Sequence, residues 1–203
     1  IYKELGELIS DSNTNINFLI GTNSTNEDYV AFNEFAKNFP TTNQTFYLND
    51  DYLFKGFFDE NIENAKIEDL NKSDSIIIWA EDLKETLPVL YLRVRQAVKN
   101  GVKLIVFGHS NSTLEDIADF YYSEDIVSEN FEIIKDISKL KGIKEHVKDK
   151  NVTAIIGKST PYQLDENLDK LVSYLVENSN SKIMNAFSSG NTFGAINNLD
   201  NVK

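Results

Sequence analysis

The side chains of this sequence that could do chemistry lie in three loops and two histidines. The stretch WAEDLKETLP places Glu81, Asp82 and Glu85 between an apolar run and the start of a helix. Strand-to-helix loops hold nucleotide phosphates when glycines let backbone N–H groups approach the dianion. This loop has no glycine. Its carboxylates suit the positive end of a helix dipole but would repel a pyrophosphate, so it reads as an acidic, solvated cap. The stretch IGTNSTNE offers the lone Gly21, followed by Thr22, and FGHSNST alone combines glycine, histidine and hydroxyls. Gly21, Thr22, Gly108, His109, Ser110 and Asn111 are therefore the candidate pocket for a small polar ligand, and no catalytic or metal-ligating residue is assigned. A dinucleotide fold asks for an acid near the end of the second strand of its unit, to hold the ribose. Gly108-His109 stands there instead.

His109 is of a type that serves as general acid or base, yet neither a cysteine nor a serine elbow accompanies it, and it reads as a solvated or capping residue. His146 lies in a Lys- and Glu-rich stretch and reads as surface. Arg93 and Arg95, two apart on one helix, do not share a face; one is expected along the sheet edge, the other in solvent. Trp79, closing an apolar run, is expected in the core, and Tyr121-Tyr122 is expected to cover the sheet. Nucleophile, base and oxyanion hole do not come together anywhere.

The elements that must position these groups are legible as alternating strands and helices. Seven runs read as strands: 17–20, 45–48, 75–79, 103–107, 131–134, 152–156 and 182–186. NFLI, IIIW, LIVF and TAII are nearly continuous in apolar residues, the pattern of strands buried on both faces of a parallel sheet. Ser24 to Glu27, Ser112 to Glu115 and Thr160 to Gln163 have the form of helix capping boxes. The first precedes Tyr29, Val30, Phe32, Phe35 and Ala36, and the last precedes Leu164, Leu168, Leu171, Val172, Leu175 and Val176, apolar at helical spacing. Pro88 sits in a first helical turn, where its missing N–H costs little. Val89, Leu90, Leu92, Val94, Ala97 and Val98 follow, and Gly101 supplies the C-cap. Strand, helix, glycine, strand is a βαβ crossover, and its repetition predicts a doubly wound α/β fold with mostly parallel sheets. The Phe-rich, aperiodic stretch from about 51 to 67 is expected to link two lobes.

Composition excludes several functions. A net charge of −12 argues against a nucleic-acid-binding surface. The absence of cysteine removes disulfides, thiolate zinc sites and iron–sulfur ligation from these 203 residues. No apolar run approaches the roughly 18 residues that span a bilayer, and no signal peptide is visible. Beginning at Ile1 and ending after an Asn/Asp-rich turn, the chain reads as a piece of a longer cytosolic protein.

In order and spacing, SDSIIIWAEDLKETLPVLYLRVRQAVKNGVKLIVFG resembles a signature of the molybdopterin oxidoreductase superfamily. The matching residues are Ser73-Asp74, Pro88-Val89-Leu90, Arg93, Arg95, Gly101 and Lys103. NSTNEDYVAFNEFAKN, VTAIIGKSTPYQLDENLDKLVSYL and SSGNTFGAINNL (Asn191, Gly194, Ala195) are similar to further family segments, so the likeness spans most of residues 16–199. Within the superfamily it is greatest to the large iron–sulfur subunit (G chain) of bacterial NADH–quinone oxidoreductase, respiratory complex I. The resemblance implies two Rossmann-like lobes: residues 53–147 inserted into a discontinuous lobe of 1–52 and 148–203. In active members such lobes hold the dinucleotide arms of a molybdenum or tungsten pterin; their loop after the third strand offers Gly-x-Asn, and their fourth strand ends in Asp-Pro. This chain has Ala80-Glu81-Asp82 and Gly108-His109, agreeing with the complex I branch, whose corresponding region generally lacks the cofactor.

The expectation is thus a structural, cofactor-free segment of a respiratory NADH–quinone oxidoreductase subunit. Iron–sulfur clusters would lie upstream in the parent chain, and the other subunits of the peripheral arm would be its partners. It would be cytoplasmic, on the inner side of the cell membrane without entering it, and would bind no nucleic acid. Two alternatives stand beside it. One is part of an active molybdenum- or tungsten-pterin enzyme such as a formate dehydrogenase, with Gly108 to Asn111 on the dinucleotide. The other is a free-standing α/β module binding a small polar ligand or a protein.

Overall fold

IIIW, LIVF and TAII pair as neighbouring parallel strands buried on both faces, which is why they carry no alternation. NFLI, expected to be the same, is not: Asn17 and Leu19 are exposed, Leu19 at 77%, so that strand is covered on one face only. The computed structural model describes residues 2–10, 16–39, 44–48, 62–79, 82–108, 112–123, 137–157, 165–187 and 189–200. The chain divides into two compact units, Ile1–Asp51 with Phe187–Lys203, and Tyr52–Ala186.

In the 52–186 unit, six strands form one parallel sheet: β3 (Glu63–Asn64), β4 (Ser75–Trp79), β5 (Lys103–Phe107), β6 (Phe120–Tyr122), β7 (Asn151–Ile156) and β8 (Asn180–Asn185), in the spatial order β3-β8-β7-β4-β5-β6. Central β4 pairs over its whole length with β5 (Ser75 opposite Lys103, Trp79 opposite Phe107) and with β7 (Ser75 opposite Val152, Trp79 opposite Ile156). All five β4 residues are buried. Alternation along the strand then decides which core each residue enters. Ile76 and Ile78 pack with Leu104, Val106, Leu90, Val94 and Ala97. Ile77 and Trp79 pack on the opposite face with Ile105, Phe107, Leu168, Leu171 and Leu175.

The helix on the first face, α4 (Pro88–Lys99), begins with proline at its first turn and follows a single-turn helix, α3 (Leu83–Thr86). It ends where Gly101 adopts φ +101°; the Gly101 amide bonds the Val98 carbonyl (3.0 Å) and the Val102 amide the Ala97 carbonyl (3.1 Å). That pair of bonds is a Schellman stop. The other face carries α5 (Lys141–His146) and α6 (Asp165–Asn178). Gly142 belongs to α5 because a Cβ there would lie 2.8 Å from the Phe120 ring.

In the discontinuous unit, β1 (Ile16–Ile20) and β2 (Gln44–Leu48) pair in parallel, Ile16 opposite Gln44. The unit also contains α1 (Tyr2–Ser10), α2 (Asn26–Ala36) and α7 (Thr192–Asn198). Ile20, Tyr29, Ala36, Ala195 and Leu199 form its core.

Several expectations shift. The first capping box is Thr25 with Asp28, one residue on from Ser24 and Glu27. Ser112 to Glu115 opens no α-helix: a three-residue 3₁₀ turn follows at Glu115–Ile117, with no side-chain cap. Tyr121-Tyr122 does not lie over the sheet but forms its β6 strand. Val30, Phe35, Val89, Leu92 and Val176, assigned to apolar stripes, are exposed. β7 and β8 belong to the sheet of the 52–186 unit, because β7 hydrogen-bonds β4 from end to end, so the division falls at 186/187 and not at 147/148. The strand at 131–134 and the capping box at 160–163 lie outside the described residues, as does most of the 51–67 link; its end forms β3 and a 3₁₀ turn, Ile67–Asn71.

Candidate functional site

The order β6-β5-β4-β7-β8 reverses winding direction at β4, so the crevice beyond the carboxyl ends of β4 and β7 is where a doubly wound sheet receives a ligand. Gly157 follows β7 there, its amide bonded to the Trp79 carbonyl (2.9 Å), and Gly108 follows β5, its amide bonded to the Tyr122 carbonyl (3.1 Å).

Beside them Asp82 closes on the loop that follows β5. It is the N-cap of α3 and accepts from the Lys84 amide (3.3 Å). Its carboxylate also accepts from the Thr113 hydroxyl (2.7 Å), the Thr113 amide (3.2 Å) and the Ser112 hydroxyl (3.3 Å). Partial burial pushes the carboxyl pKa up, but the Thr113, Lys84 and Ser112 bonds outweigh it and hold Asp82 below the usual carboxylate range. Thus two loops that a ligand would have to part are tied to each other through one ionised side chain. The Tyr121 hydroxyl fills the space beside Gly108: a Cβ there would meet it at 2.5 Å. Burial raises the pKa of that hydroxyl, so it stays protonated at neutral pH.

For a dinucleotide pyrophosphate these residues are a poor fit. A fixed carboxylate at the helix entrance repels phosphate, and the hydroxyls that could have bonded a ribose or phosphate are spent on Asp82. Sequence reasoning identified the acidic loop but missed its partners. The signal was present in Ser112-Thr113, the hydroxyl pair of FGHSNST; nothing local said that a carboxylate 31 positions away would take it.

Of the six candidate pocket residues, Gly21 and Thr22 belong to the discontinuous unit and Gly108 to the other. The Gly21 carbonyl accepts from the Tyr29 hydroxyl (3.0 Å), and the Thr22 carbonyl from the Asn191 amide (2.8 Å). His109, Ser110 and Asn111 lie outside the described residues, as does Glu81. His146 is half-buried rather than free at the surface: its side chain is 28% exposed and its ring lies 5.4 Å from that of Phe120. Its carbonyl accepts from the Ser75 hydroxyl (2.8 Å). Arg93 and Arg95 are both exposed, so neither is held along the sheet. Trp79 is core, 5.4 Å from the Phe107 ring.

At the opposite, amino end of the sheet a hollow of about 290 Å³ is lined by Asp69, Lys72, Ser73, Asn151, Thr153 and Lys182. Its charges are largely matched: Lys182 pairs with Glu63 (2.6 Å) and Asp69 (3.5 Å), and the Ser73 and Thr153 hydroxyls bond each other (2.6 Å). This set braces β3 and the 3₁₀ turn against β8. Among the described residues no His, Asp or Glu group is arranged to hold a metal ion, and no helix is long and apolar enough to cross a membrane.

A family model described as molybdopterin oxidoreductase matches residues 1–202. No curated protein matches the chain.

Proposed function

From the premise that this chain belongs to the molybdopterin oxidoreductase family, we propose that it is a structural, cofactor-free segment of a respiratory NADH–quinone oxidoreductase, within its large iron–sulfur subunit. The observation that carries this reading is the Asp82 clamp, which spends the polar groups of two crevice loops on each other and sets a negative charge where a pyrophosphate would lie. On this reading the segment scaffolds the peripheral arm against its other subunits, on the inner side of the membrane. Electrons pass through iron–sulfur clusters held elsewhere in the parent chain.

The rival within the family is an active pterin enzyme. It is favoured by Gly157, the residue after β7, which brings no side chain to the switch point. Molybdenum or tungsten held by a pterin would then supply the redox chemistry, and this chain would contribute only binding groups. Assaying iron, molybdenum, tungsten and extractable pterin per chain, in the parent protein purified from its own cells, separates the two. Iron without pterin, molybdenum or tungsten supports the scaffold. One pterin per chain with either metal overturns it.

A further inference from the structure

Helices α4 and α6, on opposite faces of the six-stranded sheet, differ in charge and in how completely their apolar groups are buried. Helix α4 contains Arg93, Arg95 and Lys99 and no acid, within a chain of net charge −12. Helix α6, on the other face, has four acids against one lysine. Of the four large hydrophobics exposed among the described residues of this unit, Val89 (67%), Leu92 (58%) and Ile67 (46%) lie on α4 or on the 3₁₀ turn that packs against it, and only the least exposed, Val176 (39%), lies on α6. Positions three and four apart share a helix face, so Val89, Leu92, Gln96 and Lys99 form one outward stripe, with Arg95 beside Leu92 and Lys99. The stripe lies opposite buried Leu90, Val94 and Ala97.

We propose that this stripe is the docking surface for a protein partner whose own surface carries carboxylates around a small apolar patch. An apolar centre with arginine at its rim is the composition of a protein–protein interface, and the local positive charge selects an acidic surface. A second copy is the poorer occupant. Copies of net charge −12 repel, and an α4-to-α6 contact between copies is head-to-tail, so it propagates unless its rotation closes a ring. Nucleic acid and anionic lipid both need a broader cationic surface than three side chains on an acidic chain. The proposal names a partner class for the scaffold role above and rests on that reading.

The test uses the parent protein with whatever co-purifies stoichiometrically at physiological salt. A carbodiimide joins Lys99 to a carboxylate it touches, and mass spectrometry reads the linked residues. The expected result is a link from Lys99 to an Asp or Glu of a different chain, with Val89 and Leu92 protected from hydroxyl-radical oxidation in the assembly. Arg95→Glu with Lys99→Glu should weaken retention of that chain about tenfold or more, Arg95→Lys should keep it, and the melting temperature should not move. A parent chain that purifies alone, a Lys99 link into α6 of a second copy, or equal oxidation of Leu92 in and out of the assembly would each overturn the proposal. Pterin in the parent chain would refute the scaffold role without altering any of these readouts.

Discussion

The α4 and α6 faces of the central sheet are built from the same strands, yet they are different materials. Alternation sends Trp79 and Phe107 to the α6 face, where Phe107 also stacks on Tyr122 at 5.1 Å. The α4 face receives Ile76, Ile78, Leu104 and Val106. One face is thus aromatic beneath and overlain by the acid-rich α6; the other is aliphatic beneath and overlain by the basic α4, which leaves more of its apolar side chains in solvent. The lesson is that a strand buried on both sides is under two separate packing constraints, one for each parity. A one-residue slip of register would exchange all of them.

Substitutions can break or sharpen this contrast. The largest effect is expected from Trp79→Ala, which empties the biggest buried side chain from the α6 face and should cost about 3–5 kcal/mol, read by denaturant midpoint. Should it cost less than the loss of an aliphatic group such as Val94 on the α4 face, the aromatic face is not the tighter of the two. Gly108→Ala drives a Cβ against the Tyr121 hydroxyl, and overpacking of this kind costs about 1–3 kcal/mol. Gly108→Ala with Tyr121→Phe should recover part of that loss.

Asp82→Ala leaves the Thr113 and Ser112 donors unmatched and removes a helix cap, for about 1–2 kcal/mol. The same group sets an acid dependence. Asp82 and Asp119 are both held below the usual carboxylate range; at Asp119 burial opposes, and the bonds from Lys103 and the Leu104 amide prevail. A carboxyl that binds its proton less readily when folded adds stability above its unfolded pKa of about 3.9. That contribution is lost as pH falls through the lowered folded value. Unfolding followed from pH 6 to pH 2 should therefore steepen below about pH 4, and Asp82→Ala should flatten the slope; an unchanged slope would mean the clamp carries no ionic weight. The smallest effect belongs to Leu92→Gln, within about 0.5 kcal/mol, since an exposed residue away from caps and pairs contributes little to folding. A larger loss would place Leu92 in the packing of its own fold and deny it to a partner.

Much of this was legible from residue type alone. IIIW and LIVF, unbroken by polar residues, determined strands covered on both faces, and Pro88 with Gly101 bracketed α4 because one tolerates a first helical turn and the other a positive φ. The acidic loop at 81–85 was legible as hostile to phosphate from charge alone. The short strands Glu63–Asn64 and Phe120–Tyr122 were not visible, because each is too brief to carry a period and exists only through pairing with β8 and β5. The grouping of β7 and β8 with β4 escaped for the same reason: pairing between residues 77 positions apart leaves no local mark. Likewise the sequence by itself placed Asp82 and Ser112-Thr113 in two separate loops, each able to cap or to bind. Only the parallel β4–β5 pairing, which brings the carboxyl ends of those strands side by side, decided that they would spend their hydrogen bonds on each other.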